Sequence, residues 1–305
     1  MKSTNIILTT FIILFLFSCK SNDEKEKNNK QRGNEYQSNR AISNENLNIS
    51  LLLDLSDRIS PDLHPNPSMQ IYERDINYIK SVSNAFLTHL RSKKVRQMND
   101  KIQLYFEPEP SNQNINRISE QLKFEVTRQN ASLDKLEKIN QMYESIPKEI
   151  YNLAIKDNNY VGSDTWSFIK EKVDDYCIDE DYRNILVILS DGYIYHEEGK
   201  IKKNNMSTYI TTKYFDQQGL KGSNWEDKYN NQKYGLIQAH GDLSNLEILV
   251  LGINPNTSGN PYELDIIRKF WTDWFDKMNV ARYEIKTADL PSNLDNIIQN
   301  FILNI

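Results

Sequence analysis

Three short polar clusters hold the residues best suited to chemistry: Asp54-Leu55-Ser56-Asp57-Arg58, Gly162-Ser163-Asp164-Thr165 and Ser190-Asp191-Gly192. Carboxylates and hydroxyls of this kind are hard oxygen donors. Drawn together from separate strand ends, they suit one hard cation. Magnesium takes near-octahedral oxygen ligation and keeps several waters, which leaves such a site open to an incoming carboxylate or phosphate. Other chemistries find no support. His64, His89, His196 and His240 lack the HExxH spacing of a zinc enzyme, and the two cysteines, Cys19 and Cys177, cannot make a four-cysteine zinc site. No Gly-x-Ser-x-Gly elbow occurs. Cys177 reads as a small buried apolar residue in a helix.

The clusters follow or precede elements that must position them. Ile49–Leu53, apolar but for Ser50, and Ile185–Leu189 are apolar runs, as expected of central parallel strands covered on both faces, and each stops at a polar cluster. Leu246–Leu251 is a third such run, and Ala281–Lys286 reads as a last strand. Ile102–Phe106 is a strand closed by Pro108 and Pro110, and 122–126 alternates as an antiparallel edge strand would. Helical spacing covers 71–94, 132–154 (with Pro147 dividing it), Thr165–Cys177, Pro261–Met278 and Leu294–Ile305. Strands alternating with helices predict a doubly wound, mostly parallel α/β sheet with helices on both faces. The stretch of about 192–242 breaks the rhythm and predicts a long insert after the fourth strand, a hairpin plus loop projecting from the sheet. Trp166, Trp271, Trp274 and Phe275 read as core.

In this order the clusters resemble the von Willebrand factor A domain over about residues 47–305. That family's metal-ion-dependent adhesion site joins an Asp-x-Ser-x-Ser loop, a downstream Thr and a downstream Asp. The resemblance implies Asp54, Ser56, Thr165 and Asp191 as ligands of magnesium or manganese, with a protein partner or other acidic ligand completing the shell. Arg58 departs from the pattern, standing where the second serine belongs. An arginine cannot deprotonate or ligate a cation. Pointing inward it disfavours a divalent ion; pointing outward it offers an anionic partner a bidentate fork. Ser60 is the nearby substitute donor, and Asp57 and Asp164 complete the expected ligand-binding set. The alternative is that Asp54, Ser56 and Asp191 only satisfy loop amides and cap helices.

The N-terminus carries an address. Lys2 precedes an apolar run to Ser18, too short for a comfortable membrane span of about 20 residues and apt for a secretory leader over 1–18. Leu16-Phe17-Ser18-Cys19 resembles a bacterial lipobox, which implies cleavage before Cys19 and its lipidation. Residues 19–46 hold almost no apolar side chain and predict a disordered tether. Asp23, Glu24 and Glu26 resemble the surface-export signals of some bacterial lipoproteins. The whole chain is polar enough, at a mean hydropathy of −0.67, to exclude a multi-span membrane protein. A net charge of −5 provides no basic field for nucleic acid.

These readings favour a non-enzymatic binding module anchored in the cell envelope, at the outer membrane or cell surface. Two alternatives stand. A magnesium-dependent phosphatase-like hydrolase would need Asp-x-Asp where Ser56 stands, and a hydroxyl is no general acid near neutral pH. A solute-binding lipoprotein would need two lobes and a hinge, and one sheet uses most of this chain.

Overall fold

A computed structural model describes residues 44–256 and 258–305. The leader 1–18, Cys19 and the tether up to residue 43 lie outside the described residues. In chain order the elements are β1 (Asn46–Leu53), α1 (Ile71–Ser92), β2 (Asn99–Phe106), α2 (Gln113–Ser119), β3 (Phe124–Thr127), α3 (Leu133–Asp157), α4 (Thr165–Glu171), α5 (Val173–Cys177) and β4 (Tyr182–Leu189). Then come β5 (Lys202–Lys203), β6 (Met206–Ser207), α6 (Thr212–Gln217), α7 (Trp225–Gln232), β7 (Gly235–Leu236), β8 (Leu246–Ile253), α8 (Glu263–Lys277), β9 (Arg282–Thr287) and α9 (Pro291–Leu303).

The main sheet has six strands in the order β3-β2-β1-β4-β8-β9. All its pairs are parallel except β2 with β3, so the alternating run at 122–126 does form the antiparallel edge. The chain moves outward from β1 to β3, then returns to the other side of β1 for β4. That reversal makes the carboxyl ends of β1 and β4 the topological switch point, where doubly wound sheets open a crevice for ligands. Both strands are apolar because both faces are covered. Leu47, Ile49, Leu51 and Leu53 face a core built with α1, α3 and α9. Leu52, Leu186 and Ile188 face a second core with α4, α5 and α8.

Three sequence expectations need correction. Pro147 does not divide its helix: α3 runs unbroken through it, with Ile139, Tyr143, Ile150 and Tyr151 buried on either side. Packing along one continuous face outweighs the single backbone hydrogen bond a proline removes. The segment Thr165–Cys177 is two short helices that break at Lys172, whose backbone leaves the helical region. The insert does not project. Its three short strands form a small sheet, β5-β6-β7. Ile210, Tyr214, Phe215, Leu220, Trp225 and Tyr229 pack with Phe270, Trp271 and Trp274 of α8 in the second core. Its aromatics would otherwise expose a large apolar area, so it folds back over the sheet. The indole N–H groups of Trp166 and Trp274 both donate to the Ile237 carbonyl, at 2.6 and 3.0 Å, and tie the insert's end to α4 and α8.

Candidate functional site

The site begins where β1 and β4 end. The ladder continues one residue past β1, with Asp54 N–H donating to the Leu189 carbonyl at 3.1 Å. This turns the Asp54 side chain under the loop that follows. Its Oδ1 accepts the Ser56 amide at 2.8 Å and its Oδ2 accepts the Ser190 hydroxyl at 3.2 Å. After β4, Asp191 Oδ1 accepts the Tyr193 amide at 3.1 Å. Gly192 between them sits at φ +98°, and a Cβ there would meet the Ile253 and Ile267 side chains at 2.8 Å. Only glycine lets this turn lie so close to the core.

Arg58 points inward, so the outward fork for an anionic partner is not formed. It lies within a single 3-10 turn, Asp57–Ile59, and is 2% exposed. Its Nε lies 3.2 Å from both Asp54 Oδ2 and the Asp54 carbonyl. Its Nη2 donates to Asp75 Oδ2 at 2.6 Å and to the Leu189 carbonyl at 3.0 Å. Asp75 lies on α1, is 1% exposed, and also accepts the Tyr151 hydroxyl at 2.9 Å. Burial raises the Asp75 carboxyl, and the Arg58 guanidinium works against that rise. Burial likewise lifts Tyr151 well above its ordinary range, so it stays a neutral donor. A buried ion pair of this kind needs its remaining polar atoms satisfied; here both Asp54 oxygens and Asp75 Oδ2 meet protein donors, while Arg58 Nη1 is buried without a hydrogen-bond partner among the described residues.

Above this network lies a cleft of about 280 Å³. Ser56, Asp57, Ser163 and Asp191 line it from the strand ends, with Tyr193, Tyr195, Thr211, Thr212 and Lys213 from the insert. A backbone bridge from Ser163 N–H to the Tyr195 carbonyl, 2.8 Å, and from Tyr195 N–H to the Ser163 carbonyl, 2.7 Å, joins the two walls. A wider groove of about 800 Å³ continues from it, sharing Asp57, Gly162 and Tyr195 and adding Leu63, Glu197 and Glu198. Burial, with the Asp54 charge next in weight, pushes the Asp191 carboxyl up to about 7.

The residues expected at the site divide. Ser56 and Asp191 share the cleft, while Asp54 sits below it. Thr165 does not line the cleft; it is 2% exposed at the start of α4. Ser163, two residues earlier, takes the lining position. Asp164 is a helix cap: its Oδ1 accepts the Ser167 amide at 3.0 Å and its Oδ2 the Ser167 hydroxyl at 2.8 Å. Ser60 is buried and its hydroxyl accepts the Leu63 amide at 3.3 Å, so it does not stand in for a missing ligand. Asp57 is exposed on the rim, 3.9 Å from His64.

Asp75 and Tyr151 were not singled out from sequence, and Ser163 was named only within the cluster 162–165, not as a site residue. Asp75 had a signal: an acid on the apolar stripe of α1, four residues from both Ile71 and Ile79. A further buried acid lies beneath the insert wall. Glu263 Oε1 accepts the Tyr193 and Thr212 hydroxyls at 2.7 and 2.6 Å, which fixes two lining side chains from below.

The donors present do not match a preformed divalent-metal site. Asp54 already meets a guanidinium, a hydroxyl and an amide, Thr165 is off the cleft, and Asp191 is the carboxylate left facing it beside Asp57. Among the described residues no group of three or more His, Cys, Asp or Glu side chains is arranged to hold a metal.

No known family profile matches the chain, and no curated protein matches it by sequence. Similar solved structures include an aerotolerance-related membrane protein from Bacteroides fragilis, at 12% identity and a TM-score of 0.37, covering 85% of this chain and all (100%) of that one. The conserved hypothetical protein BatB from Bacteroides thetaiotaomicron gives 13% identity and 0.36 over 85% of this chain and 98% of that one. The pilus adhesin SpaC from Lactobacillus rhamnosus GG gives 11% and 0.42, over 85% of this chain and 30% of the adhesin. The likeness is one of coarse α/β layering and assigns no site.

Proposed function

We propose that this chain is a non-enzymatic binding module, tethered to a membrane of the cell envelope by a lipidated Cys19, whose ligand is a protein held at the strand-end cleft. The observation that carries this reading is the cleft's place and make-up. It lies at the switch point of the sheet, and its lining mixes hydroxyls, an exposed tyrosine and a lysine with no nucleophile–base pair among the described residues. Tyrosine with short polar side chains is the chemistry of a protein-binding surface. The carboxylates of Asp57, Asp191, Glu197 and Glu198 outnumber Lys213 along the cleft and its groove. That balance favours a partner presenting a basic or neutral polar group rather than the acidic ligand expected of a metal-filled site.

A phosphatase reading is not favoured by the same geometry. Asp54 as a nucleophile would be held behind Arg58, and Ser56 has no acid to give. A photo-crosslinking residue at Tyr195, on intact envelope, tests the binding role. A discrete protein adduct is expected from Tyr195 and none from the exposed Glu180 at the opposite end of the sheet. Equal labelling from both positions would sink the proposal.

A further inference from the structure

We propose that Arg58 is the resident cation of this strand-end site, and that the site engages its ligand without a divalent metal. Two buried carboxylates, Asp54 and Asp75, need a positive charge between them, and the guanidinium supplies it. It reaches Asp54 Oδ2 at 3.2 Å and Asp75 Oδ2 at 2.6 Å. It is also held by two main-chain carbonyls, those of Asp54 and Leu189, at 3.2 and 3.0 Å. Guanidinium geometry suits this place. It offers several donors in one plane and cannot lose its proton, so the charge is permanent. A divalent ion bound to Asp54 would sit within a few ångströms of that charge and displace the Ser190 hydroxyl. Little would remain to offset the repulsion, because Asp75 is turned toward Arg58 and Tyr151.

The inference shares only its location with the proposed binding role. A titration that uses no partner can fail while the Tyr195 adduct persists, and the reverse. Mn²⁺ binding by the full mature chain in detergent would be followed by the loss of the free-ion paramagnetic signal, and Mg²⁺ by its effect on melting. The wild type should show no saturable Mn²⁺ binding up to millimolar concentration and no melting shift with Mg²⁺. Arg58→Ser should melt lower in metal-free buffer, bind Mn²⁺ at least tenfold more tightly than the wild type, and regain part of the lost melting temperature with Mg²⁺. Saturable wild-type binding that disappears in Asp191→Ala would overturn the proposal. So would a folded Arg58→Ser protein that stays silent to metal. Should Arg58→Ser not fold, Arg58→Lys keeps the charge; it should stay metal-silent, and Mn²⁺ binding by that variant would overturn the proposal as well.

Discussion

Removing the Arg58 side chain leaves Asp54 and Asp75 buried with no counter-charge. Arg58→Ala should therefore cost about 3–5 kcal/mol, the range for breaking one partner out of a buried ion pair, read as a drop in the urea midpoint. Asp191 gives the complementary pH signature. Its carboxyl is pushed up to about 7 in the fold against 3.8 for the free side chain. A raised acid contributes stability that is fully present below the unfolded value and lost as pH rises through the folded one. Stability should fall between about pH 4 and pH 8 by an amount on the order of 4 kcal/mol from this group. Urea titrations of Asp191→Asn across that range should lack this component; an unchanged slope would show that Asp191 is not its source. Some of this was legible in the residues. Asp54 and Asp191 were visible because each ends an apolar run, and such runs end at the ligand edge of a parallel sheet. The direction of Arg58 was not, because its second acid lies 17 residues on, near the start of α1. Ser163 and Thr165 are two positions apart at a loop-to-helix junction, and spacing alone cannot say which hydroxyl faces the cleft.

At the level of elements, the cleft depends on the loop before α4 meeting the insert at the isolated bridge between Ser163 and Tyr195. Gly162 makes that meeting possible. It sits at φ +93°, and a Cβ there would lie 2.2 Å from the Tyr195 carbonyl oxygen. Gly162→Ala should destabilise by about 1–3 kcal/mol, the cost of a strained backbone position, and should also weaken the Tyr195 adduct, because the two cleft walls part. A variant with wild-type stability and cross-linking would show that the walls are held elsewhere. The central strands β1, β4 and β8 were readable from sequence, since each buries both faces and needs no partner to betray itself. The insert was not. Its strands are two residues long, and its apolar content is carried by scattered aromatics without a period of 2 or 3.6. Pro147 misled for a related reason: local propensity argues for a break, while the buried face that keeps α3 whole is a property of its neighbours.

For the molecule as a whole, the insert belongs to the second core, so it should unfold with the rest of the body. Phe215→Ala, in the middle of that packing, should lower stability by about 3–5 kcal/mol in one cooperative transition. A two-step melt would mean that the insert folds on its own. Cys19→Ser tests the proposed tether: it should move the protein from the membrane fraction to the soluble one, because the acyl chains supply the attachment at about 0.8 kcal/mol per buried CH₂. The position of β1 at the centre of the sheet also bears on how the chain is made. Its two neighbours are β2 and β4, and the site closes only when Ser190 reaches Asp54 across 136 residues of sequence. Pairings that distant form slowly, since loop closure precedes the contacts that reward it. A nascent chain still missing β4 has an open central strand and no completed core. For an exported protein, as proposed here, that delay would keep the chain translocatable until it reaches the membrane, and the proposed binding cleft would form only after it arrives.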